Sequence, residues 1–359
     1  MKDFFKGKRV VVTGACGTVG SELVRQLVED FELGELIGID NNESEIFFLE
    51  QRFSKLGNTH FRLADIRDRD KLTRMFHGVD IVFHSAAYKH VILCERSPFE
   101  AVQTNILGVR NVIDAACQND VGKVIFTSSD KAVNPTNVMG TSKLMGERLI
   151  TAANSNSRTH NSIFASTRFG NVLGSRGSVI PIFKKQIEKG GPLTLTDPQM
   201  TRFIMSIKEA VRLVIDSAFI AQGGEVFVTK MPVIRIKDLA QVMIDVLAPQ
   251  FGYAPKDIPI EIIGSKPGEK LYEELMSEEE TARTWELGRY FAVLPAFRSV
   301  YDDICYEYSD VVTKIVDKAY HSGNETCLTQ EELMQFLKIN QLIDETSECR
   351  THPDQRYWP

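Results

Sequence analysis

The seven residues 14–20, GACGTVG, restrict what this chain can fold into more than any other stretch. A β-branched run, RVVVT at residues 9–13, leads straight into them, and residues 21–29 carry helical spacing directly after. A short apolar strand feeding a glycine turn and then a helix predicts a buried parallel strand that opens a βαβ unit. The spacing G-x-x-G-x-x-G gives each glycine a separate task. Gly14 permits the tight turn, Gly17 lets backbone approach a pyrophosphate, and Gly20 lets the helix pack on the strand. The helix start adds amide donors and a positive dipole end for phosphates. Thr13, Thr18 and Val19 complete the loop expected to hold a dinucleotide.

The strand–helix alternation continues for about two-thirds of the chain. A second strand at residues 35–40, ELIGID, ends in Asp40, placed to accept hydrogen bonds from a ribose and to repel a 2′-phosphate. That favours NAD over NADP. Asp40 capping the next helix, residues 43–53, is the competing reading. Asp65 and Ile66 close a third strand and are expected to bracket an adenine. The fourth, IVFH at residues 81–84, leads to Ala86 and Ala87, small enough to let a cofactor lie on backbone, and then to Lys89 and His90. A helix over residues 98–118 carries Asn105 in mid-helix, where asparagine is unfavourable unless its side chain is used elsewhere. A later strand at residues 163–168 runs into Phe169, Gly170 and Asn171. This order predicts a doubly wound Rossmann-type α/β fold with a smaller α/β substrate-binding domain. The expected division is a dinucleotide-binding core at 1–174, a substrate-binding region at 175–275 with some strands returning to the core, and a helical appendage at 276–359.

Between those strands lies TSSDKAVNPTNVMGTSKLMGE, residues 127–147, after the strand KVIF at 123–126. It sets Ser129, Asp130 and Lys131 at the carboxyl edge of a parallel sheet, where open α/β folds bind and react ligands. A helix from about residue 136 places Met139 and Lys143 on one face. Thr127 and Ser128, with Phe169 and Gly170, are expected along the cofactor. The net charge of −6 gives no footprint for nucleic acid. No apolar run approaches a membrane span, and the charged start is not a secretory signal. The six cysteines lack metal or disulfide spacing, so no metal site is expected and a reducing cytoplasm fits best.

Six stretches together carry a resemblance. GACGTVG, SAAYKHV, SSDKAVNPTNVMGTSK, RFGNVLGSRGSVIP, LTLTDPQMTRFIMS and KPGEKLYEEL occur in the order found in bacterial nucleotide-sugar 4,6-dehydratases. The chain is similar, over about residues 7–275, to the extended short-chain dehydrogenase/reductases that act on UDP-N-acetylglucosamine. The resemblance implies an enzyme, a hydro-lyase, with a nicotinamide cofactor reduced and reoxidised within one turnover. It implies that Lys131 takes the C5 proton and Asp130 protonates the departing C6 hydroxyl. An adjacent Asp–Lys pair also reads as a plain ion pair, so these roles rest on the resemblance.

Most members of the wider family carry Tyr-x-x-x-Lys; here Met139 stands in the tyrosine position and Lys143 is kept. Methionine cannot ionise, which leaves Ser129, a water or a relay through Asp130 to receive the C4 hydroxyl proton. The wording KAVNPTNVMGTSK is closer to the enzymes that retain configuration at C5. Carried over residue by residue, Lys89, His90, Asn171, Ser178, Val179, Thr194, Arg202 and Glu269 are the substrate positions. Arg202 is the expected diphosphate or uridine contact. A homo-oligomer is expected through helices at 98–118 and 136–153. A C5-inverting dehydratase, a nucleotide-sugar 4-epimerase and a non-catalytic dinucleotide sensor are the competing readings.

Overall fold

Two sets of segments divide the computed structural model, which describes residues 2–156, 161–175, 178–264, 269–297, 300–301 and 304–343. One unit comprises Met1–Phe169, Lys208–Lys230 and Glu274–Tyr320; the other comprises Gly170–Ile207, Met231–Glu273 and His321–Pro359. Of the motifs above, residues 176–177 and 266–268 lie outside the described residues.

The first unit is built on one ten-stranded sheet. Strands β1 (Arg9–Thr13), β2 (Glu35–Asp40), β3 (Thr59–Leu63), β4 (Ile81–His84), β5 (Lys123–Ser129) and β6 (Ile163–Phe169) run parallel in the order β3-β2-β1-β4-β5-β6. The order reverses direction at β1, next to β4, and such a switch point leaves a crevice beyond the carboxyl ends of the strands. Val10, Val11 and Val12 are each 0% exposed, as a parallel strand covered on both faces requires. Helix Thr18–Asp30 buries Gly20, Leu23, Val24 and Leu27, and helix Gly108–Gln118 buries Val109, Val112 and Ala116. These are i, i+3, i+4 and i+7 spacings that set one apolar stripe against the sheet. Each such leucine or valine contributes roughly 1.5–3 kcal/mol by leaving water.

Beyond β6 the sheet gains Val226–Thr229, parallel to it, and then Tyr290–Val293, Thr284–Leu287 and Val311–Thr313, all antiparallel. The expected helical appendage at 276–359 is therefore corrected. Its first part supplies three sheet strands, and among its described residues only Glu278–Thr281 and Gln330–Ile339 are α-helical. The expected linear boundaries differ likewise, because residues 208–230 and 274–320 pack with the first unit. The expected helix at 98–118 is interrupted. Val91–Arg96 and Pro98–Val102 are short helices, Gln103–Leu107 is a π-helical turn, and the regular helix begins only at Gly108.

The second unit holds a three-stranded sheet ordered Val233–Arg235, Thr201–Met205 and Asn171–Val172, and a pair made of Ile260–Ile262 and Leu193–Leu195. Helices Val179–Glu188, Ile236–Leu247 and Gln330–Ile339 close a core around Phe183, Ile187, Leu239, Met243, Leu333 and Leu337. Thr329 and Glu332 form a capping box at the start of the last helix.

Candidate functional site

The glycine loop is shaped by close backbone approach. Gly14 has φ +70°, and a Cβ there would lie 2.7 Å from the Ala86 Cα. A Cβ on Gly20 would lie 2.0 Å from the Gly14 carbonyl oxygen, so nothing larger fits beneath the helix. Gly17 is the N-cap of helix Thr18–Asp30 and supplies no side-chain cap, so the first-turn amides of Thr18 and Val19 keep their donors. Asp40 Oδ2 accepts from the Cys16 N–H at 3.0 Å and Oδ1 from the Asn42 N–H at 3.0 Å. Asn42, not Asp40, caps the following helix through the Glu45 N–H. Asp65 accepts from Arg67, and that hydrogen bond is the main reason its carboxyl is lowered to about 2.

Gly14, Gly17, Asp40, Asp65, Ile66, Ala86 and Ala87, all singled out from the sequence, line one cavity with Asn41, Ser85, Tyr88 and Thr104, which were not. Lys89 and His90 follow on the exposed side of the same turn. Thr13 is fully buried, with its hydroxyl 2.6 Å from His84 Nδ1. Asn105 holds the turn instead of lining it. Its Oδ1 accepts from the Tyr88 N–H at 2.8 Å, and its Nδ2 donates to the Tyr88 carbonyl at 3.0 Å and to Ser142 Oγ at 2.9 Å.

A dinucleotide suits this surroundings on two grounds. The glycines leave a cradle that side chains would fill, and Thr104, which lines the cavity, has a buried hydroxyl with no partner among the described residues. Buried polar groups without partners are uncommon and costly, which points to a ligand that completes them.

The residues expected to be reactive gather where β5 ends. Ser129 Oγ donates to Asp130 Oδ1 at 2.6 Å and accepts from the Lys131 N–H at 3.3 Å. Lys131 Nζ lies 2.9 Å from Asp130 Oδ2, with Asp130 5% and Lys131 35% exposed at the side chain. Asn137 caps helix Val138–Ala153 through the Gly140 N–H, and Glu95 accepts from the Val138 N–H at 2.6 Å. Gly140 is where that helix meets the turn at residues 129–131: a Cβ there would lie 2.2 Å from the Lys131 carbonyl oxygen.

Lys143 reaches back to β5, donating to the Thr127 carbonyl at 2.9 Å with its Nζ 4.6 Å from the centre of the Phe126 ring. Burial lowers its ammonium from 10.5 to about 8, against a partial offset from Glu147 one turn on. Glu147 in turn binds the fully buried Arg168 at 2.6 Å, which also holds Glu280 at 2.8 Å. Met139 occupies the helix position expected of it, but its side chain is 3% exposed and packs with Cys94 and Ala101. It is a packing group with no proton to exchange.

The expected substrate residues, Lys89 and His90 excepted, fall in the second unit. Asn171 Nδ2 donates to Glu273 Oε1 at 2.8 Å, and Arg202 Nε lies 3.3 Å from the same oxygen. The Arg202 guanidinium also donates to the carbonyls of Thr201 and Lys270 and lies 3.9 Å from Glu269, which Thr196 approaches at 3.5 Å. Glu273 thus organises this cluster, although only its place in the KPGEKLYEEL stretch marked it. Ser178 is the N-cap of helix Val179–Glu188, and its buried Oγ has no partner among the described residues. Thr194 sits apart, exchanging two hydrogen bonds with the Gln186 amide. Gly170 packs against Phe203 and Met231 in this unit, whereas Phe169 ends β6 in the other. A cavity of about 1040 Å3 in the second unit is lined by Thr201, Arg235, Tyr272 and Cys327 among others, and by none of the expected catalytic residues. The described residues hold no cluster of side chains suited to a metal ion, and no helix long and apolar enough to cross a membrane.

The model of the polysaccharide biosynthesis protein family matches residues 10–295. An uncharacterized membrane protein of Methanocaldococcus jannaschii is 51% identical over 82% of this chain and 88% of its own length. The probable polysaccharide biosynthesis protein EpsC of Bacillus subtilis is 47% identical over 77% of this chain, which spans about half (46%) of that relative. A Campylobacter jejuni UDP-N-acetylglucosamine 4,6-dehydratase (inverting) is 38% identical over 82% of this chain and 85% of its own. A Rickettsia canadensis UDP-glucose 4-epimerase is 37% identical over 95% and 98%. Among solved structures, Pen from Bacillus thuringiensis superposes with a TM-score of 0.86 at 40% identity, over 95% of this chain and 100% of that one.

Proposed function

The chain belongs to the polysaccharide biosynthesis protein family, and on that premise we propose that it is an NAD-dependent 4,6-dehydratase of UDP-N-acetylglucosamine that retains configuration at C5. The observation that carries the reading is the Ser129–Asp130–Lys131 chain, with its 2.6 Å hydroxyl–carboxylate and 2.9 Å ammonium–carboxylate contacts. A 4-epimerase has no step for an acid and a base at C5 and C6; this chain has both side by side.

The chemistry a bound nicotinamide would supply is reversible hydride transfer, from C4 of the sugar and back to C6. Gly14, Gly17 and the amides opening helix Thr18–Asp30 would hold its diphosphate, Asp40 its adenosine ribose, and Asp65 with Ile66 its adenine. Ser129 receives the proton leaving O4 and passes its own to Asp130 along the short hydrogen bond. Asp130 then carries the proton that the departing C6 hydroxyl needs to leave as water. Lys131, in its neutral form, removes the C5 proton made acidic by the 4-ketone and returns it to the same face. The atoms balance as loss of one water, giving UDP-2-acetamido-2,6-dideoxy-4-hexulose. Lys143, fixed by Thr127, keeps a cation beside the site without itself exchanging protons with the sugar. Asn171, Ser178, Val179, Thr194, Arg202 and Glu269 are assigned to the UDP-sugar, with Lys89 and His90.

NAD is preferred to NADP because the Asp40 carboxylate repels a 2′-phosphate. Retention is supported by the wording around Met139 in this chain; the Campylobacter relative bears the name of an inverting enzyme. Incubation with UDP-N-acetylglucosamine in deuterated water, followed by NMR and mass spectrometry, tests the proposal. Loss of water with deuterium at C5 and unchanged configuration is expected. Inverted C5 would refute retention alone. Recovery of substrate or its C4 epimer by protein carrying cofactor would refute the dehydratase reading.

A further inference from the structure

The chain carries a net charge of −6, but its cations are not spread evenly. A cavity of about 510 Å3 near the β3 edge of the ten-stranded sheet is lined by Arg9, Arg62, Lys71 and Arg74, and Glu35 is the one acid among its lining residues. Strand pairing brings these groups together. β1 and β2 set Arg9 opposite Glu35, and β2 and β3 set Ile37 opposite His60 and Ile39 opposite Arg62. Alternate residues of a strand share a face, so Arg62 turns the same way as His60, which also lines the cavity. Helix Arg69–Met75 adds Lys71 and Arg74, three residues apart and so on one side.

These cations are not equivalent. Arg9 Nε donates to Glu35 at 2.6 Å and its Nη1 to the His77 carbonyl at 3.0 Å; a Cβ on Gly78 would lie 2.6 Å from that nitrogen, so the guanidinium is fixed. Glu35 is thereby neutralised, with His60 Nε2 3.7 Å from its other oxygen. Arg62 donates only to the carbonyl of its neighbour Phe61, and the Lys71 and Arg74 side chains have no ion-pair or hydrogen-bond partner among the described residues. Three uncompensated positive charges therefore converge on one recess of an acidic protein. The recess shares no residue with the cofactor cavity, whose Ala64 and Asp65 follow directly after Leu63 at the end of β3. A cleft lined by one sign of charge concentrates counter-ions, and guanidinium forks match phosphate oxygens two at a time. The volume falls in the range of small-molecule sites and exceeds a single phosphate group.

We propose that this recess is a second ligand site that binds a free polyphosphate, inorganic or carried on a small molecule, with Arg62, Lys71 and Arg74 as the phosphate contacts and the Arg9–Glu35 pair as a fixed wall. A free ligand is favoured over a membrane headgroup because Leu63 is the one exposed large apolar side chain of the lining, too little to enter a bilayer surface.

The test is calorimetric titration of the full chain with tripolyphosphate in excess NADH and UDP, which occupy the proposed reaction site. One binding event that weakens with rising salt is expected. Arg62→Gln with Arg74→Gln removes two charges and one local hydrogen bond; affinity should fall by about 10-fold or more, as loss of charge-assisted hydrogen bonds requires, with NADH affinity unchanged. Arg235→Gln with Lys237→Gln removes the same charge from the second unit and should bind as the wild type does. Absence of binding by the wild type overturns the proposal, as does unchanged affinity in the Arg62/Arg74 variant. Equal weakening by both double variants would mark a general field and no site. Sedimentation of the wild type with phosphatidylglycerol vesicles, without tripolyphosphate binding, would overturn the free ligand in favour of a membrane surface.

Discussion

Replacing Lys143 with methionine should stabilise the cofactor-free protein at neutral pH while abolishing its catalysis. The ammonium is 7% exposed and burial holds it at about 8 instead of 10.5. At ~1.4 kcal/mol per pH unit, that gap between folded and unfolded states costs the folded protein roughly 3 kcal/mol whenever the lysine is charged in both. Methionine fills similar volume and removes the charge. It loses the bond to the Thr127 carbonyl, worth ~1 kcal/mol net. The balance is a gain of roughly 2 kcal/mol below about pH 8.

The sign changes with pH. Because the folded value lies below the unfolded one, the unfolded chain binds the extra proton between about 8 and 10.5, and wild-type stability rises with pH across that window. Above it the penalty has gone and the variant should be the weaker by ~1 kcal/mol. Urea titrations of both proteins, at neutral pH and near the top of the window, read the difference in midpoint directly. A variant clearly less stable at neutral pH, or a difference that does not move with pH, refutes the reasoning that Lys143 is buried against its charge.

Three further substitutions probe the supports of the site. Gly140→Ala forces its Cβ against the Lys131 carbonyl, 2.2 Å away, so the turn at residues 129–131 must retreat by about 1 Å; kcat for the proposed dehydration should fall ~100-fold with dinucleotide affinity unchanged, and a wild-type kcat would sink the claim. Arg168→Met leaves Glu147 and Glu280 buried without their cation and should cost ~3–5 kcal/mol in urea unfolding, whereas a loss below ~1 kcal/mol would show the cluster relaxes. Glu280 is held at about 2 against 4.5 by Arg168, despite its burial, so its contribution is whole above about pH 4.5 and is lost as pH falls toward 2. Glu280→Gln should start less stable at neutral pH and lose less on acidification; an unchanged acid limb would contradict this.

What the sequence made legible follows from which signals are local. The glycine loop, the β-branched strands and the cluster at residues 129–131 are short contiguous patterns, and each is found where its pattern placed it. The π-turn is not legible, because QTNIL carries no residue that forbids a regular helix. The nest around Met139 is assembled from Cys94 and Ala101, distant in sequence, so the methionine read as a gap in a catalytic motif when it is a filled position in a small core. The three antiparallel strands after residue 280 were available in part. TWEL-GR-YFAV is two apolar runs around a two-residue turn, which is a hairpin signal that the charged texture of the tail obscured.

Arg202 shows how a residue proposed as a ligand contact is positioned by its neighbours. An arginine in the second unit reads as a phosphate clamp, and here its guanidinium is held by Glu273 at 3.3 Å and by three backbone carbonyls. The proton economy of the proposed reaction makes the complementary point at residue 139. A tyrosine would hold the O4 proton through the later steps, while Asp130 would need a second proton for O6. With methionine there, Ser129 hands the O4 proton to the carboxylate that must protonate O6. One proton then serves both ends of the elimination, and no ionisable group is required at position 139.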